Sequence, residues 1–253
     1  MEAENRSAQG CQIPMKISFV IPLHNEEDNA ASMLDRVIQF SSNQKWNFEL
    51  VPVNDRSTDA TPQILNRYAK KYPNIKPIHR RGGADLGNTI GAALKDGTKA
   101  ATGDVVIWTM GDMSDDTQTY KHIVDKINDG YDMVFGSRYM PGGSRGNLDA
   151  FKAFLSSNGT LLARLLFGVP VHDITNAFRG FKKAVFQKVK LNSTSFDISP
   201  EFALRAHLAG FRLGEVPTVY TNRDRGVSKF KLWRMTKAYL KVYWRLLKEK
   251  FTS

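Results

Sequence analysis

The sequence has a single cysteine and no long apolar segment. Cys11 alone excludes an intrachain disulfide and a cysteine-based zinc site, and it fits a reducing compartment. No uninterrupted apolar run approaches the roughly 20 residues that a helix needs to cross a bilayer, so we expect no transmembrane helix. Residues 1–14 lack the basic start and apolar centre of a secretory signal, and we expect a disordered leader there.

Positive charge is abundant and unevenly distributed. The 253 residues are 42% hydrophobic, enough for one substantial core, and carry a net charge of +11. From Arg225 onward, nine Lys or Arg residues stand against one acid, Glu249, so this tail contributes +8. We therefore expect one folded domain over residues 15–226 and a basic helix over residues 227–253.

Short apolar runs alternate with helical patterns in the first half of the chain. The predicted strands are residues 17–22, 48–53, 75–79, 105–109 and 133–136. This alternation predicts an α/β fold with a doubly wound, mostly parallel sheet. The second half is less regular, with strands predicted over residues 178–181 and 213–220. The predicted helices are residues 88–101, 117–128, 148–168 and 200–210.

Polar clusters follow three of the predicted strands. They are HNEE at residues 24–27, NDRS at 54–57 and MGDMSDD at 110–116. Ligands gather at the carboxyl ends of parallel strands, because loops and helix N-termini with exposed amide donors converge there. The sequence therefore predicts a binding site at this edge of the sheet.

Six motifs in one order make a specific resemblance. They are IPLHNEE (21–27), VNDRSTDAT (53–61), TMGDMSDD (109–116), FGSRYMPGG (135–143), DITNAFRGF (173–181) and DRGVSKFKLW (224–233). Over residues 16–233 the chain resembles the dolichol-phosphate mannose synthase-like members of glycosyltransferase family 2. The resemblance implies a GT-A fold with the catalytic domain over residues 15–226. It also implies inverting transfer of a hexose from a GDP- or UDP-linked donor to a polyprenyl or dolichyl phosphate.

The resemblance implies a donor site around the second-strand motif. Asp55 would accept from the base, and a set of further residues would line the nucleotide pocket or close over the diphosphate. These residues are Pro22, His24, Glu26, Arg225 and Lys229. The family usually has Tyr where His24 stands, and an aspartate pair followed by Gly or Ser where residues 54–56 stand. These departures leave the identity of the nucleotide base open. Ordinary turn and capping roles are the alternative for such polar residues.

The resemblance also implies a divalent cation, Mg²⁺ or Mn²⁺, at the fourth-strand motif. Met110 replaces the first aspartate of the family's DxD pair, and a thioether is a poor ligand for a hard cation. Asp112 remains as the catalytic carboxylate and metal ligand, with Ser114 and either Asp115 or Asp116 beside it. Two interpretations stay open: a metal held by few protein ligands, or its partial replacement by cationic side chains.

For the acceptor phosphate, the resemblance implies Arg138, with Lys152 and Ser156 one helical turn apart and Arg145 in a glycine-rich loop. Arg138 could alternatively form a surface ion pair. A phosphate monoester is ionised near neutral pH, so it attacks without a general base. The family members that glycosylate a hydroxyl usually show an adjacent acidic pair, which is absent around Glu201. The role of the DITNAFR motif stays open between a hydrogen-bonded turn and substrate contact.

The C-terminal helix predicts attachment to an anionic membrane surface. Six of its Lys and Arg residues fall within an arc of roughly 120 degrees, and Trp and Tyr residues occupy other faces. We expect a cytoplasmic protein associated peripherally with the cytoplasmic face of a membrane. The alternative is a helix whose apolar face packs on the core while its cations are solvated.

Two other functions compete with the main one. The first is a family-2 enzyme with a non-lipid hydroxyl acceptor. The second is a basic nucleic-acid-binding protein, which the net charge permits. No nucleic-acid-binding motif is present, and the cations cluster beside aromatic residues on one terminal helix, so we expect no nucleic-acid partner.

Overall fold

The protein was analysed as a computed structural model that describes residues 15–82, 89–221 and 232–252. The predicted leader (1–14) and two predicted donor-site residues, Arg225 and Lys229, lie outside the described residues. No helix in the described part of the chain is both long enough and apolar enough to cross a membrane.

Strands and helices alternate through the first half, as predicted. The elements are β1 (Lys16–Leu23), α1 (Glu27–Asn43), β2 (Asn47–Asn54), α2 (Thr61–Lys71), β3 (Ile78–His79), α3 (Ile90–Ala100), β4 (Val105–Trp108), α4 (Gln118–Asn128) and β5 (Met133–Ser137). The predicted third strand is shorter than expected, because Ile75 makes only an isolated bridge to Leu50. Pro62 lies in the first turn of α2, where a missing amide donor costs nothing.

The second half contains more helix than the sequence suggests. Its elements are α5 (Ala150–Phe167), β6 (Arg179–Lys182), α6 (Lys183–Lys188), α7 (Ile198–Leu208), β7 (Leu213–Pro217) and α8 (Leu232–Thr252). The short helix α6 was not predicted, and the final strand ends three residues earlier than expected. Asp149 caps α5 by accepting from the Lys152 amide, and Gly168 ends it in the left-handed conformation at φ 73°.

The seven strands form one sheet in the order β3-β2-β1-β4-β6-β5-β7. Only β6 runs antiparallel to its neighbours, β4 and β5. The parallel strands β1, β2, β4 and β5 therefore end at the same edge. Gly180 of β6 lies beneath α4, where an added Cβ would lie 2.3 Å from Ile123 Cγ2, so only glycine fits.

Helices cover both faces of the sheet. One face packs against α1, α2 and α4, and the other against α3, α5, α7 and α8. The C-terminal helix belongs to this second layer, because Val242, Tyr243 and Leu246 are buried in the core. Its apolar face thus packs on the domain, as the alternative interpretation expected.

Glu49 of β2 is a buried carboxylate, only 1% exposed, beneath the sheet's amino edge. Burial acts to raise its pKa, but hydrogen bonds from the Thr102 backbone, Lys76, Ser18 and Lys16 outweigh burial and hold the pKa well below its usual value. A depressed folded-state pKa adds stability above the unfolded-state pKa, and this stability is lost as the pH falls.

We predict that Glu49→Gln is less stable than wild type at pH 7. Its free energy of unfolding should also fall less steeply than that of wild type when the pH drops below about 4.5, because the glutamine does not titrate. Urea denaturation between pH 3 and pH 7 measures both. Parallel pH profiles of unfolding free energy for the two proteins would contradict the lowered pKa of Glu49.

Candidate active site

Three loops meet at the carboxyl edge of the sheet. The Asp55 amide, just after β2, donates to the Leu23 carbonyl at the end of β1 over 2.7 Å. A Cβ at Gly111, in the loop after β4, would lie 2.9 Å from the Pro22 carbonyl oxygen. The loops after β2 and β4 therefore both pack against the end of β1.

The Asp55 carboxylate is 5% exposed and accepts three side-chain hydrogen bonds. Its Oδ1 accepts from Arg56 Nε at 3.0 Å and from an Arg80 terminal nitrogen at 2.6 Å, and its Oδ2 accepts from the Thr89 hydroxyl at 2.6 Å. Although burial raises the pKa of Asp55, these hydrogen bonds and the two arginine charges lower it overall. Asp55 is therefore an anion held between two cations.

Three other predicted nucleotide-pocket residues, Pro22, His24 and Glu26, lie at or just after the end of β1. His24 is exposed, and its Nδ1 lies 2.6 Å from the Asp55 carbonyl oxygen. Pro22 is buried in β1 opposite Val53 of β2. The Glu26 carboxylate accepts from the Asn29 side chain at 2.8 Å, at the start of α1. The structure thus brings Pro22, His24 and Asp55 together, while Glu26 also stabilises the first helical turn.

The loop after β4 presents Asp112 but turns Asp115 inward. Asp112 Oδ1 accepts from the Ser114 hydroxyl at 2.6 Å. Asp115 Oδ2 accepts from the Thr109 hydroxyl at 3.0 Å and from the Met110 amide at 2.8 Å. Burial raises the pKa of Asp115 to about 7, and the nearby charge of Asp112 adds to the effect. The Asp115 carboxylate is therefore part of the loop's internal hydrogen bonding.

Asp116 stabilises the start of α4 and does not face Asp112 in any described hydrogen bond. Its Oδ1 accepts from the Gln118 amide at 3.0 Å, at the first turn of α4. Within residues 15–82, 89–221 and 232–252, no three His, Cys, Asp or Glu side chains form a metal-binding group. Mg²⁺ often binds through one or two carboxylates, water and substrate phosphates. Asp112 and the Ser114 hydroxyl are the side chains of this loop that would fit this mode.

Arg138 is engaged in a buried ion pair rather than a surface one. Its Nε lies 2.7 Å from Asp173 Oδ2, and a terminal nitrogen lies 3.1 Å from Oδ1. The Arg138 side chain is 9% exposed, and that of Asp173 is fully buried. The guanidinium is thus fixed in orientation by a bidentate carboxylate.

The predicted acceptor residues on α5 lie close to the Arg138 loop. The Tyr139 hydroxyl hydrogen-bonds the Ser156 hydroxyl, which joins this loop to the first turns of α5. Lys152 lies on the same helix and is half-buried, whereas Arg145 is exposed in the loop that precedes α5. Lys152 and Ser156 are four residues apart on α5 and therefore lie on one face of this helix, as expected from the sequence.

Residues 218–221 connect the acceptor loop to the Asp112 loop. The Ser144 N–H donates to the Thr218 carbonyl, and the Ser144 carbonyl accepts from the Tyr220 N–H. The Thr221 amide donates to the Ser114 carbonyl at 3.1 Å. The loops that carry Asp55, Asp112 and Arg138 therefore share one edge of the sheet.

The DITNAFR motif forms a hydrogen-bonded turn. Asp173 binds Arg138, and the Asn176 side chain donates to the Gly136 carbonyl at 2.9 Å. Arg179 is fully buried and donates to backbone carbonyls, among them that of Ser199 at 2.9 Å. The sequence left open whether this motif forms a structural turn or contacts the substrate. The contacts described here are those of a structural turn.

Sequence reasoning did not identify Arg56, Arg80 or Thr89 as partners of Asp55. Arg56 stands inside the second-strand motif at the position where the resemblance leads us to expect Gly or Ser, and this departure was a usable signal. Arg80 and Thr89 are separated from Asp55 by 25 and 34 residues, and no pattern links them.

The Glycosyl transferase family 2 pattern matches residues 18–190. The chain belongs to glycosyl transferase family 2. The matched region begins within β1 and extends past β6, and it includes the Asp55, Asp112 and Arg138 loops. The family predicted from the six motifs is thereby confirmed.

Two curated proteins are similar to this chain over most of its length. A dolichol-phosphate mannosyltransferase of Pyrococcus furiosus is 30% identical over 237 residues, which cover 92% of this chain and 64% of that protein. A polyprenol monophosphomannose synthase of Mycolicibacterium smegmatis is 29% identical over 227 residues, covering 88% and 84%. This chain thus spans less than two thirds of the length of the Pyrococcus relative.

A solved structure confirms the predicted fold. Glucosyl-3-phosphoglycerate synthase from Mycobacterium tuberculosis, in complex with Mn²⁺, UDP and phosphoglyceric acid, superposes with a TM-score of 0.65. The sequence identity is 17%, and the alignment covers 92% of this chain and 78% of that one. The mostly parallel sheet with helices on both faces is therefore the glycosyltransferase fold expected from the sequence.

Proposed function

We propose that this protein transfers a hexose from a nucleotide-sugar to a polyprenyl or dolichyl phosphate, with inversion at the anomeric carbon. The observation that carries the proposal is the meeting of the Asp55, Asp112 and Arg138 loops at one sheet edge. The two curated relatives, named for mannosyl transfer to dolichol phosphate and polyprenol phosphate, support the lipid acceptor.

Charge complementarity supplies most of the chemistry in this proposal. The base lies against Asp55, and the diphosphate lies towards Asp112 and Ser114. A phosphate oxygen of the acceptor attacks the anomeric carbon, and the bond from that carbon to the diphosphate breaks on the opposite side. Alignment of two anions requires fixed cations, which Arg138, Lys152 and Arg145 supply at the acceptor loop and α5.

Asp112 and the Ser114 hydroxyl are the residues that would hold Mg²⁺ or Mn²⁺. When bound, the cation would neutralise charge on the departing diphosphate. Arg225 and Lys229, which lie outside the described residues, are proposed to add positive charge over the same diphosphate.

The surroundings of Glu201 favour a phosphate acceptor over a hydroxyl. A hydroxyl acceptor needs a general base, and Asp197 and Glu201 are the two acids in the stretch where the resemblance expects an acidic pair. The Glu201 side chain is fully buried and accepts from Arg205 at 3.0 Å, Arg245 at 2.6 Å and the Ser193 amide at 2.7 Å. A carboxylate with these partners is unsuited to take a proton from a substrate.

The decisive experiment is incubation of the protein with radiolabelled UDP- and GDP-sugars and polyprenyl phosphate, with and without EDTA. The proposal expects label in the organic phase as an acid-labile lipid product. Label transferred only to water-soluble acceptors would reject the lipid acceptor.

We also propose that α5 and α8 bind an anionic bilayer. The surface of α5 exposes an apolar stripe, here defined as Phe151, Phe154, Leu161 and Leu165, the last 75% exposed. Helix α8 packs against α5 through the Tyr243 hydroxyl, which donates to the Gly159 carbonyl. On α8, Trp244 is 60% exposed, and Lys248 lies 3.6 Å from its ring centroid. Apolar side chains beside cations are the chemistry of an anionic lipid surface.

One feature of the predicted cationic arc differs from expectation. Arg245 binds the buried Glu201 and is 30% exposed, so its charge is partly engaged with the domain. Lys237, Lys241 and Lys248 are exposed and remain for lipid contact. A deletion of α8 would remove buried core side chains together with Arg245, which binds Glu201. Point substitutions are therefore the sharper test.

We predict that Phe154→Ser combined with Leu165→Ser lowers the partition coefficient onto anionic liposomes by at least about tenfold, because each apolar side chain contributes about 1.5–3 kcal/mol when buried. Liposome sedimentation measures the partition. Leu208→Ser, at an exposed leucine of α7 outside the stripe, is the matched control and should bind as wild type does. Equal binding by all three proteins would reject the membrane surface.

A further inference from the structure

The acceptor capacity of Asp55 is nearly filled by the protein itself. A carboxylate has about four acceptor positions, two on each oxygen. Arg56 Nε and an Arg80 terminal nitrogen occupy both positions of Oδ1, and the Thr89 hydroxyl occupies one position of Oδ2. Among the residues that the structure describes, no further side chain donates to Asp55, so one position, on Oδ2, is left for a ligand. Asp55 can therefore accept one N–H from a base without losing a protein partner.

Arg56 occupies its position against the backbone preference of its residue type. Its φ is 59°, in the left-handed region that glycine adopts without cost. The side chain is 10% exposed and lies along Asp55, with a terminal nitrogen 2.7 Å from the Thr89 hydroxyl. Arg56 thus supplies a guanidinium in a place where glycine would leave Oδ1 more open.

Arg80 supplies a second guanidinium on the same carboxylate. Its Nε lies 2.8 Å from Asp96 Oδ2, and its terminal nitrogen reaches Asp55 and the Thr89 hydroxyl. The Arg80 side chain is 16% exposed. The surroundings of Asp55 are therefore rich in N–H donors and positive charge and poor in further acceptors.

Nucleobases differ in the hydrogen bonds that they offer to such surroundings. Guanine presents two adjacent donors, N1–H and the exocyclic amine, which match a carboxylate with both oxygens open. Uracil presents a single N3–H between two carbonyl oxygens. One remaining acceptor position, flanked by guanidinium groups that attract carbonyl oxygens, matches uracil. Guanine would have to displace Arg56, Arg80 or Thr89 from Asp55 to bind through both donors.

We infer that Arg56 makes the base pocket selective for uracil, so that the sugar donor is a uridine-diphosphate sugar. The inference rests on the proposed function, because it places the donor's base against Asp55. It assigns Arg56 as a specificity-determining residue that acts through Asp55. Removal of Arg56 opens Oδ1 to a second N–H donor and weakens the preference.

The test compares nucleotide affinities by isothermal titration calorimetry with UDP, GDP and CDP in the presence of Mg²⁺. Wild type should bind UDP at least tenfold more tightly than GDP or CDP. In Arg56→Gly the ratio of UDP to GDP affinity should fall at least fivefold, and glycine accepts the left-handed backbone, so the fold is retained. Thermal melting of the variant checks that retention.

Lys45→Gly is the matched control, because Lys45 also has a left-handed backbone, with φ 55°, and lies in the turn between α1 and β2. It loses one positive charge in the same way and should keep the wild-type ratio. Equal or tighter binding of GDP by wild type, or an unchanged ratio in a folded Arg56→Gly, overturns the inference.

The outcomes also separate this inference from the proposed function. Transfer of sugar from a GDP-sugar to polyprenyl phosphate would keep the function and overturn the base assignment. Absence of binding for all three nucleotides would overturn both.

Discussion

Replacement of Asp112 by asparagine is expected to lower the rate of sugar transfer to polyprenyl phosphate by at least about 100-fold. Loss of one preorganised electrostatic contact to a developing charge typically costs that much. The effect should be large here because Met110 supplies no oxygen ligand and Asp115 is bonded to Thr109 and the Met110 amide. Asp112 is therefore the principal carboxylate that this loop offers to the diphosphate region.

The matched control is Asp116→Asn, four residues further along the same loop. Asn keeps the side-chain oxygen that accepts from the Gln118 amide, so this hydrogen bond at the start of α4 should persist. Transfer by Asp116→Asn should stay within about threefold of wild type, a change of less than 1 kcal/mol in the barrier. Initial rates of organic-extractable label, at several Mg²⁺ or Mn²⁺ concentrations, measure both variants. Equal losses in the two variants would mean that Asp112 has no special role.

The order of elements was readable from the sequence, but their arrangement in the sheet was not. Buried apolar runs such as residues 17–22 and 48–53 have a period and length that identify strands. The antiparallel insertion of β6 between β4 and β5 depends on pairing between residues far apart in the chain, such as Val106 and Phe181, which are 75 positions apart. Local patterns do not encode such pairing, so the mostly parallel sheet was predicted without its one exception.

The site was predictable to the level of loops and not to the level of contacts. Residues 54–57 and 110–116 follow strands, which places them at the carboxyl edge. The direction of a side chain within such a loop depends on single backbone angles. Met113 has φ 65°, and the loop around it turns Asp112 towards Ser114 while Asp115 points into the core. No residue pattern distinguishes these two carboxylates.

The amphipathic C-terminal helix shows the same limit. Its 3.6-residue period correctly placed Lys237 and Lys241 on the solvent side, because periodicity records which positions share a face. Arg245 shares that arc but reaches Glu201 on α7, 44 residues earlier. A long side chain at the border of two faces can bind a buried partner, and helical angles alone do not show the partner.

Replacement of Asp173 by asparagine is expected to lower the free energy of unfolding by about 3–5 kcal/mol, and the melting temperature by roughly 6–20 °C. The fully buried Asp173 carboxylate is the bidentate partner of Arg138, and Asn leaves that guanidinium buried without its counter-ion. Asp173 also contributes favourable charge to the buried Arg179, whose pKa falls to about 9 mainly through burial. Asp125→Asn is the control, because Asp125 pairs with Lys121 at a half-exposed site, where ion pairs contribute less than about 1 kcal/mol.

The cause of the loss can be separated from the loss of packing by a double substitution. Arg138→Met in the Asp173→Asn background removes the uncompensated charge and keeps most of the side-chain volume. If the unpaired guanidinium causes the instability, the double variant should recover at least about 1 kcal/mol relative to Asp173→Asn alone, since the two changes are coupled. Chemical denaturation of the four proteins of this cycle measures the coupling. Additive losses of unfolding free energy would indicate that the instability comes from lost hydrogen bonds in the turn. Asp173 accepts hydrogen bonds there from the Thr175 hydroxyl and the Asn176 amide.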